Sequence, residues 1–554
     1  MKKTTLFFVL SLFLFLPNYF YAQHEMVIPP ATSFDDVLNN TINNDVDASG
    51  NRNDPNRVYV LQDGLYFVNG DIINDGWPLT IVAEAGANLK PLIIAIPDNT
   101  NALPSRFVTM NGNVTLKGIR FLNYYETISP EQLATSTGQV VRANTSGFDM
   151  VIDSCLFSCR SILQTSAACR KVEVTNTIMA NMFRMAGANN WGDNKGVDFR
   201  NSSCDSAIFI NNIYINEQDR IMRQRGAGVG VDIQHFIFDH NTVIQCYSYH
   251  GCIEIGRAGK SVQVTNSVFY NPFNFGNDTD VVRQSEFEDN TETDPYGGNK
   301  MAMITTIPND TTQFTISNNY VTVTPREEAW YARWASASAS PRFPYNTSLP
   351  PFTTDYIKNK IDYNSAFTVE NLTMGAVPVV DTAIMSLYRE PIANGGGGKT
   401  KITTPYADFS KWDCDRKSMA WLTDTLDASY NTDAAAYTGA TNGGPAGSLL
   451  AWKVPLGVKE INTNSVPKGF SLLQNYPNPF NPATIIQYSI PKETHVTIEV
   501  FDILGRLVAT LVNSTQKAGF YHVEFDASKL ASGTYVYQLS TPETSYSKKM
   551  LLLK

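Results

Sequence analysis

Six short segments of the sequence place one polar or charged residue between two mostly apolar neighbours, at intervals of 20 to 39 residues. Val141-Arg142-Ala143 and Met222-Arg223-Gln224 are two of them. Because successive side chains of a strand point to opposite faces, the apolar neighbours should face a core and the middle residue should face outward. The middle residues are therefore expected to form one exterior row: Arg142, Gln164, Arg184, Arg223, Glu254 and Arg283.

Guanidinium groups spaced along such a row match the carboxylates or sulfates that recur along an extended acidic polysaccharide. On this interpretation Arg142, Gln164, Arg184, Glu254 and Arg283 bind the substrate. A second interpretation stays open, in which loops of neighbouring coils supply acidic partners and the row is a structural ion network. The candidate partners are Asp193, Asp198, Glu217 and Asp219.

The chemistry that best fits a basic row is β-elimination, in which a uronate carboxylate is neutralised and the neighbouring proton is removed. Arg223, Arg225, His250 and Lys195 are the expected catalytic residues. A hydrolase is disfavoured because no set of aspartates is placed to act as acid and base. We expect no resident cofactor or metal site, although the acidic insertion 277–299 leaves a role for Ca²⁺ open.

The elements that must position this row repeat a pattern of apolar, variable and small or amide residues. The third position forms a column consisting of Gly118, Ser154, Asn176, Asn212, His240, Asn266 and Asn318. The smallest spacing, 22 residues, is one coil of a β-helix, and larger spacings indicate loops. Asparagine tolerates the left-handed backbone of a sharp corner, and its amide can bond to the coil above. The pattern predicts an all-β fold with a right-handed parallel β-helix.

The first coils give this prediction a family context. Val58 to Tyr66, with its Asp63-Gly64-Leu-Tyr66 sequence, precedes Leu79-Thr-Ile-Val82. These strands resemble the opening coils of pectate-lyase-like β-helix proteins, and the resemblance covers about residues 34–325. It implies the superfamily but no single catalytic family, because lyases and non-catalytic binders share the scaffold.

The two ends of the chain indicate export. Residues 1–22 have a basic start, an apolar run and a break at Pro17, as in a signal peptide. The sequence Tyr476-Pro-Asn-Pro-Phe-Asn-Pro482, followed by Phe501-Asp-Ile-Leu-Gly-Arg506 and Leu530-Ala-Ser-Gly-Thr-Tyr535, resembles the type A sorting domain of type IX secretion substrates. The predicted plan is a signal peptide at 1–22, the β-helix at 23–325, a capping region at 326–466 and a small C-terminal β-sandwich at 467–554.

The composition and net charge of the chain limit which partners the protein can bind and in which compartment it works. A net charge of −9 argues against nucleic acid, and no later apolar run suggests a transmembrane segment in the mature chain. Seven scattered cysteines fit either small buried apolar side chains or one or two disulfides. The sequence therefore predicts a protein secreted or held at the outer cell surface that acts on an acidic polysaccharide as a lyase. The alternative is a non-catalytic adhesin or glycan-binding protein.

Overall fold

In the computed structural model the described residues are 24–84, 90–122, 139–158, 161–182, 195–217, 219–225, 232–246, 251–272, 302–307, 311–329, 366–377, 422–423, 425–441, 443–452, 459–461, 470–472, 475, 480 and 483–552. The segment predicted to be a signal peptide and most of the segment predicted to be a cap lie outside them. The domain boundaries given above therefore remain predictions.

Parallel strands stack coil upon coil into a β-helix with three faces. Face one has strands Glu25–Ile28, Val58–Leu61, Leu79–Ala83, Val114–Lys117, Phe148–Asp153, Cys169–Thr175, Cys204–Ile210, Asp232–Asp239, the second half of Ile253–Thr265, and Gln313–Ser317. This architecture confirms the predicted all-β fold with its parallel β-helix.

Each coil continues from face one to face two and then to face three. Face two has strands Leu65–Val68, Leu92–Ala95, Arg120–Leu122, Leu156–Ser158, Ile178–Ala180, Ile213–Glu217, Thr242–Cys246, Val268–Tyr270, Asn319–Thr322 and Phe367–Val369. Face three has strands Ile72–Asn74, Arg106–Met110, Gln139–Ala143, Ser161–Thr165, Val197–Arg200, Met222–Gln224, the first half of Ile253–Thr265, and Ile304–Ile307. The longest insertions separate face two from face three, as between Ala180 and Val197.

The corner between face one and face two is built by residues with a left-handed backbone. Their φ angles lie between 50° and 69° at Gly118, Ser154, Asn176, Asn211, His240, Asn266 and Asn318. The predicted corner column is confirmed at six positions, whereas Asn212 was wrong, because its neighbour Asn211 occupies the corner. Side chains bond from coil to coil, with the Asn211 amide donating to Asn176 Oδ1 at 2.6 Å.

Asn212 belongs to a second, fully buried column one residue further on. Asn241 Oδ1 accepts hydrogen bonds from the backbone N–H of Asn212 at 2.9 Å and from its amide at 3.0 Å. Asn241 Nδ2 donates to the Phe209 carbonyl at 2.9 Å, and its backbone N–H donates to Ser267 Oγ at 3.1 Å. Buried polar groups need such partners, so this column joins neighbouring coils inside the core.

The outer side of face two is covered by a segment that we call the strap, comprising the described residues between 422 and 452. Its side chains pack on apolar residues of face two in one buried cluster, which includes Leu422, Leu426, Ala428, Ala451, Ile213, Ile215 and Ile244. Backbone N–H groups of Thr441 and Leu449 donate to Asn266 Oδ1 and Asn211 Oδ1 at 2.7 and 2.6 Å. The strap is therefore held by the corner column as well as by apolar burial.

Short helices cap and link the strands. Helix Leu38–Asn43 places Leu38 and Ile42 in the core at the start of the β-helix. The 3-10 helices Ala435–Thr438 and Leu449–Ala451 belong to the strap. Within the described residues, no helix is long and apolar enough to cross a membrane.

The C-terminal unit consists of two four-stranded antiparallel sheets around a separate core. One sheet has strands Lys459–Ile461, Ser471–Leu472, Ala483–Ile490 and Gly519–Asp526, and the other has Thr494–Asp502, Leu507–Gln516, Gly533–Ser540 and Ser545–Leu552. Alternating apolar residues such as Val496, Ile498 and Val500 point into this core. The predicted small β-sandwich is confirmed.

Candidate functional site

The middle residues of face three form one in-register row, which we call the face-three ladder. From the first coil to the last it runs through Ile73, Thr109, Arg142, Gln164, Asp198, Arg223, Glu254 and Thr305. Neighbouring coils of a parallel sheet lie about 4.8 Å apart, so each side chain can contact the one above and the one below.

Two parts of the predicted row are confirmed as neighbours: Arg142 beside Gln164, and Arg223 beside Glu254. The ladder position predicted for Arg184 was wrong, because Asp198 pairs with both Gln164 and Arg223. The sequence around Arg184 has an apolar-basic-apolar pattern like that around Arg142. The face-three strand of that coil nevertheless starts later, at Val197.

The position predicted for Arg283 was also wrong, because Thr305 pairs with Glu254. Again a long insertion, here between Tyr270 and Ile304, carries a segment that imitates the strand pattern. Arg184, Arg283 and His250 themselves lie outside the described residues, so their predicted roles in binding and catalysis stay predictions.

Hydrogen bonds run along the ladder from Arg142 to Arg223. Arg142 Nη1 donates to Gln164 Oε1 at 3.0 Å, and Gln164 Nε2 donates to Asp198 Oδ2 at 3.4 Å. Arg223 donates two hydrogen bonds to the Asp198 carboxylate, from Nε at 2.8 Å and from Nη2 at 2.9 Å. The paired fork of Arg223 is a strong charge-assisted contact, so Asp198 already neutralises this guanidinium.

A buried charged cluster lies beside the ladder where the chain enters face three. Lys195 Nζ lies 2.9 Å from Asp219 Oδ2, and Arg220 Nε lies 3.2 Å from Asp219 Oδ1. Arg220 also forms an ion pair with Glu254 of the ladder. Lys195, Asp219 and Arg220 are all buried, so the cluster ties the corner to the ladder by contacts that water does not screen.

Burial and neighbouring charges shift the pKa values of this region in different directions. Burial lowers the pKa of Lys195, against the opposing charge of Asp219. Burial alone would raise the pKa of Asp198, but the charges of Arg223 and Lys195 outweigh it, and the pKa falls below its ordinary value. Asp198 therefore stays ionised, as its paired geometry requires.

Glu217, at the end of a face-two strand, is the exception in this cluster. Its side chain is fully buried, and neither carboxyl oxygen has a hydrogen-bond partner in the described part of the chain. Burial, followed by the nearby charge of Asp219, raises the pKa of Glu217 well above its ordinary value. The sequence indicated Glu217 only as a candidate partner for an arginine, because strand periodicity carries no signal for a buried carboxyl without a hydrogen-bond partner.

Arg225 lies outside this arrangement. It follows the strand Met222–Gln224, its side chain is exposed, and its backbone N–H donates to the carbonyl of Arg200 at 2.7 Å. The structure therefore brings together Arg223 and Lys195 of the predicted catalytic set but places Arg225 at the next corner.

No group of three or more His, Cys, Asp or Glu side chains among the described residues is arranged to hold a metal ion. The insertion 277–299, which carried the calcium hypothesis, lies outside those residues. A role for Ca²⁺ therefore stays a prediction.

Comparison with known families concerns the C-terminal unit. Residues 474–553 match the family described as the secretion system C-terminal sorting domain. The C-terminal unit is a sorting domain. The match confirms the predicted C-terminal sorting domain and indicates export to the cell surface through the type IX machinery. No curated protein and no solved structure matches the chain, and no pectate-lyase family matches the β-helix.

Proposed function

We propose that this protein is a secreted β-helix protein that binds an acidic polysaccharide along the face-three ladder. The observation that carries the proposal is the state of Arg142. Its guanidinium bonds only to the neutral amide of Gln164, and no carboxylate pairs with it in the described part of the structure. A guanidinium with spare donors on a partly exposed strand is suited to bind a sugar carboxylate or sulfate.

Three arginines on or next to face three differ from Arg142 in this respect. Arg106 Nε lies 2.6 Å from Asp71 Oδ2, Arg223 is held by Asp198, and Arg220 by Asp219 and Glu254. The pair of Arg223 with Asp198 supports the interpretation of a structural ion network for that part of the row. We therefore assign anion binding to the Arg142 end, where Thr109 and Gln164 supply polar groups one coil to each side.

Catalysis by β-elimination is the second candidate function, and buried Lys195 favours it. A lysine whose pKa is lowered by burial can act as a base nearer neutral pH than a free lysine. However, Arg223 would have to release Asp198 before it could neutralise a uronate. Binding without catalysis is therefore the better supported function, and the catalytic roles of Arg223, Arg225, His250 and Lys195 remain predictions.

The test measures binding of purified full-length protein to pectate, alginate, dermatan sulfate and ulvan, with neutral dextran as the control polymer. Arg142→Gln should weaken binding to the preferred acidic polymer by about 10-fold to 100-fold, since hydrogen bonds to charged groups contribute about 1.5–3 kcal/mol. Higher salt should also weaken it. The matched control, Arg170→Gln, removes an exposed arginine of face one that is paired with Asp149 at 2.9 Å, and should bind like the wild type.

The same incubations, followed by ultraviolet absorbance of the unsaturated product, separate binding from β-elimination. Binding without new absorbance supports the primary proposal, and binding with new absorbance supports the lyase. Failure of the folded protein to bind any acidic polymer, or wild-type affinity in Arg142→Gln, would overturn the assignment of the ladder.

A further inference from the structure

Two cysteines occupy the same position on neighbouring coils of face one. Cys169 begins the strand Cys169–Thr175, Cys204 begins the strand Cys204–Ile210, and the two residues pair in register. Both side chains belong to the main apolar core, with exposures of 4% and 0%. In-register residues of neighbouring parallel strands lie about 4.8 Å apart, within the 4.4–6.8 Å range of Cα separations in disulfides.

The two thiols also interact. A hydrogen bond from the Cys204 side chain, followed by burial, raises the pKa of Cys169. The other described cysteines lack such a neighbour on the adjacent strand. Cys246, for example, pairs in register with Glu217. Geometry thus singles out one pair from the described cysteines, which are all buried.

We propose that Cys169 and Cys204 form a disulfide when the chain is exported. The sorting domain indicates secretion to the cell surface, so the chain leaves the cytoplasm, where thiols are kept reduced, and passes through compartments in which disulfides form and persist. The inference is independent of polysaccharide binding, so either proposal can fail without the other.

The reaction is a thiol–disulfide exchange with a protein oxidoreductase that carries a reactive disulfide. The thiolate of one cysteine attacks that disulfide and forms a mixed disulfide, and the second cysteine then displaces the oxidoreductase. The new S–S bond forms as two thiol protons leave, and the oxidoreductase is reduced to its dithiol. Because buried thiols of raised pKa are poor nucleophiles, the exchange takes place while the chain folds, before the core closes.

The position of the bond gives it a structural role. The 34 residues that follow Cys169, up to Cys204, include the strand Val197–Arg200, and they also contain Lys195 and Asp198. A bond between the two cysteines closes this coil into a covalent loop. It would place Lys195 and Asp198 within one covalent ring.

Peptide mapping without reduction tests the proposal on the full chain exported to a bacterial periplasm. Trypsin cleavage after Arg160 and Arg170 releases residues 161–170, and cleavage after Arg200 and Arg220 releases residues 201–220. Each peptide contains a single cysteine. We expect these peptides as one cross-linked species that separates on reduction, and as free peptides when the chain is made in a reducing cytoplasm.

Counting alkylated thiols in denaturant gives a second readout. Cys169→Ser and Cys204→Ser should each show one more reactive thiol than the exported wild type, because the partner is released. Cys246→Ser should show one fewer, because it removes a thiol that is not part of the proposed disulfide. Detection of both tryptic peptides as separate alkylated species in the exported protein, or of Cys169 linked to another cysteine, would overturn the proposal.

Discussion

Replacement of Glu217 by glutamine should stabilise the β-helix at neutral pH. The folded protein holds this carboxyl fully buried, without a hydrogen-bond partner in the described residues, and beside the charge of Asp219. These surroundings favour the protonated form, which glutamine imitates in shape and in charge. The unfolded chain has no such preference and releases the proton near the ordinary glutamate pKa of about 4.3.

The size of the effect follows from proton linkage. Because the folded-state pKa of Glu217 is raised, its contribution is most favourable below about pH 4.3 and is lost as pH rises from there. Each pH unit lowers the free energy of unfolding by about 1.36 kcal/mol over the range in which the folded protein retains the proton and the unfolded chain does not. The loss therefore grows as the pH rises from about 4.3 toward the folded-state pKa, and Glu217→Gln should recover it.

Denaturant unfolding followed by tryptophan fluorescence can measure this difference between pH 4 and pH 8. All seven tryptophans of the chain lie before residue 453, so the signal does not report on the sorting domain. Glu173→Gln is the control, because it removes a partly exposed carboxylate of face one that is paired with Lys171 at 2.8 Å. A gain for Glu217→Gln that is absent at pH 4 and grows toward pH 7 is the expected result. Equal stability of this variant and the wild type at every pH would refute the assignment of a protonated, buried Glu217.

Two further predictions concern the interior contacts of the β-helix. Asp198→Asn should destabilise the protein by about 3–5 kcal/mol at neutral pH, because it leaves Arg223 without its buried carboxylate. The folded-state pKa of Asp198 is lowered, so the ionised carboxylate stabilises the protein above about pH 3.9, and this stabilisation is lost as the pH falls below that value. The variant and the wild type should therefore converge in acid-unfolding curves. Asn241→Ala should lower the free energy of unfolding by about 3–5 kcal/mol, because three hydrogen bonds to buried partners disappear. The control Asn144→Ala, at an exposed position, should change it by less than about 0.5 kcal/mol. Denaturant titration of both variants checks the second prediction, and a similar small loss in each would contradict it.

The sequence predicted the fold well because a β-helix repeats its local constraints. A left-handed corner at Asn176 or Asn266 selects the same few residue types in every coil, and the apolar alternation of the strands follows from two-residue periodicity. The error at Asn212 has the same origin, since two consecutive asparagines satisfy the pattern equally and only the backbone distinguishes the corner from the buried column.

The candidate site was harder to predict because its strands follow insertions of variable length. The pattern around Arg184 is indistinguishable in sequence from that around Asp198, and pairing between coils decides which one enters the ladder. The neutralisation of Arg223 and the isolation of Glu217 depend on contacts between residues of different coils. Periodicity within one strand cannot reveal such contacts.

The strap also imposes an order on assembly. Its residues are synthesised after all the face-two strands that carry Ile213, Ile215 and Ile244, yet it buries the outer side of these residues. Without the strap, the stacked β-helix would expose these apolar residues. The side-chain oxygens of Asn211 and Asn266 would also lack the hydrogen bonds that the strap backbone donates to them. We therefore expect the strap, which follows these face-two strands in the sequence, to cover the apolar residues after the coils have stacked.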